Sequence, residues 1–176
     1  MASAKAFRAL TLLLLTVLTG CGTMKPEQFA DAEPKFRVEE YFLGKTRGWG
    51  IFEDRFGDLR RQFVVDIEGA WQGDVFVMEE RFLYSDGETE RRVWRISKRG
   101  DGRYEGRAGD VIGVAEGNAA GNALNWRYAM DLKVGDGTWR VNFDDWMFLQ
   151  PDGVLMNRAR VTKWGIAVGE VTLMFQ

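Results

Sequence analysis

The chain has 176 residues, with 24 basic and 26 acidic side chains, no histidine and a single cysteine. The lack of histidine excludes Ser-His-Asp and Cys-His nucleophiles as well as imidazole metal sites. Because the net charge is close to zero and no long basic run occurs, the sequence predicts no nucleic-acid partner. It also predicts no cofactor and no metal site.

The first 20 residues have the order of a bacterial secretory signal peptide. Lys5 and Arg8 precede the apolar run Ala9–Leu18, which leads into Leu18-Thr19-Gly20-Cys21. A membrane-spanning helix needs roughly 20 apolar residues, about twice the length of this run, so a span is not expected. The tetrapeptide resembles a lipobox, the motif at which a cysteine is acylated and becomes the first residue of the mature protein.

The lipobox predicts that Cys21 is the lipidation site and that the protein contacts a membrane through this acylated N-terminus. An ordinary cleaved signal peptide is the alternative, but it would leave a lone oxidisable thiol. The predicted location is the bacterial cell envelope. Gly22 after the cysteine, in place of aspartate, indicates the outer membrane facing the periplasm if the source is Gram-negative.

The remainder divides into two predicted parts. Residues 21–35, which contain Pro26 and Pro34, are predicted to be the lipidated N-terminus and a tether without regular structure. Residues 36–176 are predicted to form one domain, long enough to bury a core. The first 20 residues carry two of the 24 basic side chains and no acidic one, so the rest has a net charge of about −4.

Residues 36–176 show short segments in which apolar and polar side chains alternate. Alternation with period two is typical of half-buried strands, and it is clearest at 62–67, 75–84, 124–132 and 139–149; a further strand is predicted at about 37–43. Four Asp-Gly pairs between such segments indicate tight turns. These pairs are Asp86-Gly87, Asp101-Gly102, Asp136-Gly137 and Asp152-Gly153.

The pattern predicts an all-β fold: an antiparallel up-and-down β-barrel of 8–10 strands, lipocalin- or calycin-like. Closure into a barrel removes exposed sheet edges, and a two-sheet β-sandwich is the alternative. Charged side chains on the outward faces argue against a transmembrane barrel. Most of the seven tryptophans are expected in the core.

Charged residues interrupt the apolar faces at a few positions. Glu80, Arg92 and Asp145 are predicted to face inward, as is either Asn157 or Arg158, depending on register. Unpaired buried ions are costly, so these groups form an ion-pair network, meet a ligand or are turned out by a bulge. The predicted ligand-binding residues are Phe76, Glu80, Arg92, Trp126, Tyr128, Phe143, Asp145 and Arg158.

A hydrolase that uses Asp110, Asp144 or Asp145 is disfavoured. Adjacent strand residues point to opposite faces, so Asp144 and Asp145 are not expected to converge on one atom. No catalytic residue is therefore predicted, and the protein is predicted not to be an enzyme.

Several motifs together resemble the domain-of-unknown-function 3833 family of bacterial lipoproteins. They lie at 48–57 (GWGIFEDRFG), 110–115 (DVIGVA), 121–123 (GNA), 144–147 (DDWM) and 155–158 (LMNR). The resemblance covers about 36–176 and implies an envelope location and a single β-rich domain. The family has no established activity, so the resemblance implies no catalytic residue.

Two hypotheses for function follow. The first is non-enzymatic binding of a lipid-like or other amphipathic ligand inside the barrel. The second is a structural or interaction module of the envelope, with a solid core and a protein partner that the sequence does not identify. A cavity larger than about 300 Å³ would favour the first, because ligand pockets usually begin at that size.

Overall fold

Ten antiparallel strands close into a barrel in a computed structural model of the protein, which describes residues 24–134 and 137–176. The strands are β1 (Gly44–Asp54), β2 (Leu59–Gln72), β3 (Val75–Tyr84), β4 (Thr89–Lys98), β5 (Arg103–Arg107), β6 (Val111–Ala120), β7 (Ala123–Val134), β8 (Gly137–Leu149), β9 (Leu155–Lys163) and β10 (Ile166–Phe175).

Each strand pairs with the next one along the chain, and β1 pairs with β10 to close the ring. Gly48 stands opposite Phe175 in this closing pair. The predicted all-β, lipocalin-like up-and-down barrel is therefore confirmed, and the two-sheet sandwich is wrong. Closure leaves no strand edge free for pairing with another chain.

The predicted signal peptide, Cys21 and the Asp136 turn signal lie outside the described residues, and they stay predictions. Within the described ranges, no helix is both long and apolar enough to cross a bilayer.

Part of the segment predicted to be a tether packs on the outside of the barrel. Pro26–Phe29 forms a short 3-10 helix, and the Phe29 ring lies 5.3 Å from the ring of Phe148 and 6.1 Å from that of Trp146 on β8. This contact covers Trp146, which is buried although it points away from the barrel interior.

A single helical turn, α1 (Val38–Tyr41), closes one end of the barrel. A strand was predicted at about 37–43, and that prediction is wrong. Val38 and Phe42 lie four residues apart on one face of the turn, so both can enter the barrel end, where both are buried. The Phe42 ring meets the ring of Phe175 edge-on at 5.3 Å. We call this end the closed end.

A buried carboxylate fixes α1 to the barrel. Glu39 accepts hydrogen bonds from Lys98 Nζ and from the Tyr104 hydroxyl, both at 2.8 Å. The opposite end carries the turns that follow β1, β3, β5 and β9, and no helix among the described residues covers it. We call this end the mouth.

The expectation that most tryptophans are buried is wrong. Trp94, Trp126 and Trp146 are buried, but Trp49, Trp71, Trp139 and Trp164 are at least 42% exposed. Trp49 lies between the inward-facing Gly48 and Gly50 and therefore points outward. Trp164 lies in the turn after β9 and is 87% exposed.

Candidate functional site

The barrel contains a cavity of about 450 Å³ that opens at the mouth. Val38 and Phe42 form its floor, and side chains of eight strands, all except β5 and β6, form its wall. The barrel core is therefore packed at the closed end and hollow towards the mouth.

One side of the cavity is a continuous aromatic wall. Trp94 meets the rings of Trp126 and Tyr128 edge-on, at 5.7 and 5.4 Å between centroids. Tyr128 in turn stacks on Phe143 at 5.0 Å with the two ring planes almost parallel. Because offset and edge-on contacts each fix ring orientation, the wall presents a defined apolar surface to the cavity.

Two glycines make room for the largest ring of this wall. Gly106 on β5 and Gly117 on β6 both lie against the indole of Trp126, and a Cβ atom at either position would overlap that ring. The pairing of β6 with β7 is irregular before Gly117, where the register shifts between Ile112 and Glu116.

Substituting Gly117 with alanine is therefore expected to push Trp126 into the cavity. We expect a loss of about 1–3 kcal/mol in the free energy of unfolding, the usual effect of overpacking, together with a smaller cavity. Urea unfolding of G117A checks the first effect. Gly109→Ala is the control, because a Cβ at Gly109 meets no atom within 4 Å; equal losses in the two variants would contradict the close packing of Trp126.

A charged cluster centred on Arg92 lies beside this wall, because Arg92 is two residues from Trp94 on β4 and also lines the cavity. Its Nε donates to Asp110 Oδ2 at 2.8 Å, and its Nη2 donates to Glu90 Oε1 at 3.0 Å. The third nitrogen, Nη1, lies 3.5 Å from Glu80 Oε2. One guanidinium therefore serves three carboxylates.

Tyr84 and Arg61 extend this cluster towards the mouth. The Tyr84 hydroxyl donates to Glu90 Oε2 at 2.9 Å, and the guanidinium of Arg61 lies 3.6 Å from the centre of the Tyr84 ring. Arg61 is itself paired with Asp86 and Glu88 at 3.0 and 2.7 Å.

Asp145 lies on a different strand from the Arg92 cluster, although Tyr128, Arg92 and Glu80 are near enough to influence its pKa. It lies on β8, five strands from β3 in the ring of ten, so it occupies the wall opposite Glu80. Its side chain is 6% exposed, and its Oδ1 atom is buried with no hydrogen-bond partner among the described residues. A buried carboxylate oxygen without a donor is unusual, because desolvation is then uncompensated.

The environment of the cavity favours the neutral forms of these acids. Burial raises the pKa of Asp145 to about 8; Tyr128 and Arg92 act against the rise, and Asp144 and Glu80 add to it. Burial likewise raises the pKa of Glu80 to about 7, although Arg92 acts in the opposite direction. Burial also raises the pKa of Tyr128 well above its ordinary range.

Six of the eight predicted ligand-binding residues line this cavity. They are Glu80, Arg92, Trp126, Tyr128, Phe143 and Asp145. Asp144, next to Asp145, points outward and pairs with Arg127 and Asn125. The two carboxylates therefore do not converge, as the alternation predicts.

The placement of Phe76 and Arg158 in this site is wrong. Phe76 faces inward but lies in the packed core near the closed end, where its ring contacts Trp71 and it does not reach the cavity. Arg158 points outward, is 73% exposed and pairs with Glu170 at 2.7 Å. In the register of β9, Asn157 takes the inward position and lines the cavity.

The prediction from sequence missed two members of the charged cluster. Glu90 is two residues from Arg92 and shares its face, so the alternation that identified Arg92 could have found it. Asp110 lies in the turn between β5 and β6, where no periodic pattern applies, and only the folded chain brings it to Arg92.

Comparisons with known proteins agree with the fold. A family profile described as "Protein of unknown function (DUF3833)" matches residues 15–176. No curated protein matches the chain. Among solved structures, the barrel is similar to that of the S-type phycobiliprotein lyase CPES from Guillardia theta. The TM-score is 0.57 and the identity 10%, over 86% of this chain and 96% of that chain.

The prediction that the protein is not an enzyme is contradicted by this comparison. The similar solved structure is named as a lyase, so this fold also occurs in a protein with an enzyme's name. At 10% identity the likeness concerns the fold alone.

Proposed function

Since the chain belongs to the DUF3833 family of proteins of unknown function, we propose a function from its own site: the barrel binds an amphipathic, lipid-like ligand. The observation that carries this proposal is the cavity of about 450 Å³ lined mostly by apolar and aromatic side chains, with a few buried charged groups among them. An apolar chain would pack on the aromatic wall of Trp126, Tyr128 and Phe143, and a polar end would face Glu80 and Asp145.

The size and shape of the cavity support binding over the alternative of a solid interaction module. Pockets for small molecules typically measure about 300–1,000 Å³ and are mostly apolar with a few polar groups. A module whose surface alone mattered would gain stability from a filled barrel, because empty apolar volume forfeits packing contacts.

The proposed location is the bacterial cell envelope, with the protein held by acylated Cys21. Each buried methylene adds roughly 0.8 kcal/mol of membrane affinity, so two or more acyl chains give stable anchoring. In a Gram-negative source, the proposal places the protein at the outer membrane, facing the periplasm. This part of the proposal is supported by the lipobox and by Gly22, which follows it.

Native mass spectrometry of the mature chain, purified gently from its own envelope, tests the proposal. We expect a bound molecule of lipid-like mass that is lost after mild denaturation. Exchange into two detergents of different mass separates bound detergent from cargo. A protein free of any such molecule in both detergents would overturn the proposal.

A matched pair of variants places the bound molecule inside the barrel. Ala159 is buried and lines the cavity, so A159F is expected to fill the space and remove the bound mass. Ala129 lies on the outward phase of β7, and A129F should retain the mass. Retention by both variants would place the molecule outside the cavity and contradict the proposal.

A further inference from the structure

We infer that the polar end of the ligand is a positively charged hydrogen-bond donor such as a primary amine, and that the cavity disfavours ligands ending in a carboxylate or phosphate. This inference rests on the proposed function and names the chemical class of its ligand. The geometry that points to it is the set of three carboxylates already around Arg92, together with the unpartnered oxygen of Asp145.

The positive charge of Arg92 is already offset by acidic side chains. Its Nε and Nη2 already donate to Asp110 and Glu90 at 2.8 and 3.0 Å, and Nη1 faces Glu80 at 3.5 Å. An incoming carboxylate would meet a single guanidinium whose charge three acidic side chains already outnumber. It would also add a fourth acidic group beside a single guanidinium, and like charges at short range repel.

The cations at the mouth do not offset this excess of acidic groups around Arg92. Arg60 pairs with Asp54, and Arg61 pairs with Asp86 and Glu88. Lys133 lies on the outward phase of β7 and is exposed at the rim. Besides these cations, the charged groups that line the cavity are Arg92 with Glu80 and Glu90, and Asp145 on the facing wall.

Asp145 supplies the vacant acceptor. Its Oδ1 atom is buried without a partner among the described residues, and the side chain lines the cavity. A primary ammonium carries three N–H donors. One of them would satisfy Oδ1. Hydrogen bonds to a charged partner are the stronger kind, and a buried unsatisfied acceptor gains most from them.

The same groups make the binding depend on pH. Burial raises the pKa values of Asp145 and Glu80 to about 8 and about 7, whereas an alkylamine remains protonated well above pH 8, as lysine does. The ammonium favours the ionised carboxylate, so binding releases protons. Affinity for an amine is therefore expected to increase from pH 6 to pH 8.

Three probes with one alkyl chain test the inference: octylamine, octanol and octanoate. Each is titrated calorimetrically into the full mature chain in nanodiscs at pH 8, and a titration into empty nanodiscs corrects for partition into lipid. We expect octylamine to bind at least about tenfold more tightly than octanol, which corresponds to one charged hydrogen bond of about 1.4 kcal/mol. Octanoate should bind most weakly.

Two variants assign the effect to the buried carboxylate. D145N keeps the shape of the side chain and is expected to lose about tenfold in affinity for octylamine while leaving octanol unchanged. D144N is the control, because Asp144 lies on the outer face and pairs with Arg127 at 3.1 Å. E80Q provides a second test if D145N fails to fold.

The outcomes separate this inference from the proposed function. Failure of all three probes to bind would count against the proposed function itself. Binding of octanol or octanoate as tightly as octylamine would leave ligand binding in place and overturn the inference. A D145N variant that keeps its preference for octylamine would remove Asp145 as the acceptor and overturn the inference as well.

Discussion

Replacing Arg92 with methionine is expected to lower the free energy of unfolding by about 3–5 kcal/mol at pH 8, the usual effect of removing one partner from a buried ion pair. Arg92 is largely buried, and the Glu80 carboxylate that faces it is buried as well. Without the guanidinium, three acidic groups share one region of the cavity. The loss should be smaller at pH 5, because Glu80 is then protonated in the folded protein.

The neighbouring residue provides a matched control for R92M. Arg91 lies on the same strand but points outward, where it pairs with Glu79 on the surface at 2.8 Å. Exposed ion pairs contribute at most about 1 kcal/mol, so R91M should have little effect. Urea unfolding of both variants at pH 5 and pH 8 measures the difference. Similar losses for R91M and R92M, or a loss for R92M that does not change with pH, would contradict the proposed role of Arg92.

Raising the pH from 5 to 8 is expected to destabilise the ligand-free protein. The pKa of Asp145 is about 8 in the folded chain, against 3.8 for an ordinary aspartate. Its contribution to stability is fully present below pH 3.8 and is lost as the pH rises to about 8, because the unfolded chain ionises first. The free energy of unfolding changes by at most about 1.4 kcal/mol per pH unit for one titrating group.

Glu80 adds to this loss of stability over a narrower pH range. Its pKa is about 7 in the folded chain against an ordinary 4.5. The surface carboxylates with lowered pKa values, such as Asp66 and Glu79, act in the opposite sense. Their stabilisation is present above their ordinary pKa values and is lost only in more acidic solution. Between pH 5 and pH 8 the buried acids therefore dominate.

D145N is expected to flatten this profile and to be more stable than the parent chain at pH 8. An amide has no charge to desolvate, so the contribution of residue 145 no longer changes with pH. D144N, whose altered side chain lies on the outer face, should keep a pH-dependent loss that ends at a somewhat lower pH, because Asp144 adds to the raised pKa of Asp145. Urea unfolding at half-unit steps from pH 5 to pH 8.5 gives all three curves. A D145N curve as steep as that of the parent chain would show that Asp145 does not cause the loss.

The alternation along each strand was sufficient to find most of the cavity lining. Trp126, Tyr128, Phe143 and Asp145 were assigned to the interior because successive strand side chains point to opposite faces. That property is local, and it holds whichever strands become neighbours. It does not place Arg158 correctly, because the alternation in β9 fits an inward Asn157 as well as an inward Arg158.

The height of a residue along the barrel could not be predicted. Phe76 has the correct phase, yet it lies near the closed end because β3 begins there, directly after the turn at Gly73. Whether an inward side chain meets core or cavity depends on where α1 enters the barrel. α1 itself was predicted to be a strand, because a four-residue helix gives too short a pattern to show its period.

The sequence by itself determined the class of fold and the phase of most strands, because these depend on spacing within short segments. The envelope location stays a prediction from the lipobox. Only the tertiary structure decided that β1 meets β10, that a cavity remains inside the ring, and that Asp110 reaches Arg92 while Asp145 keeps an unpartnered oxygen. Closure, burial and the resulting pKa shifts depend on groups far apart in the chain, so no local pattern specifies them.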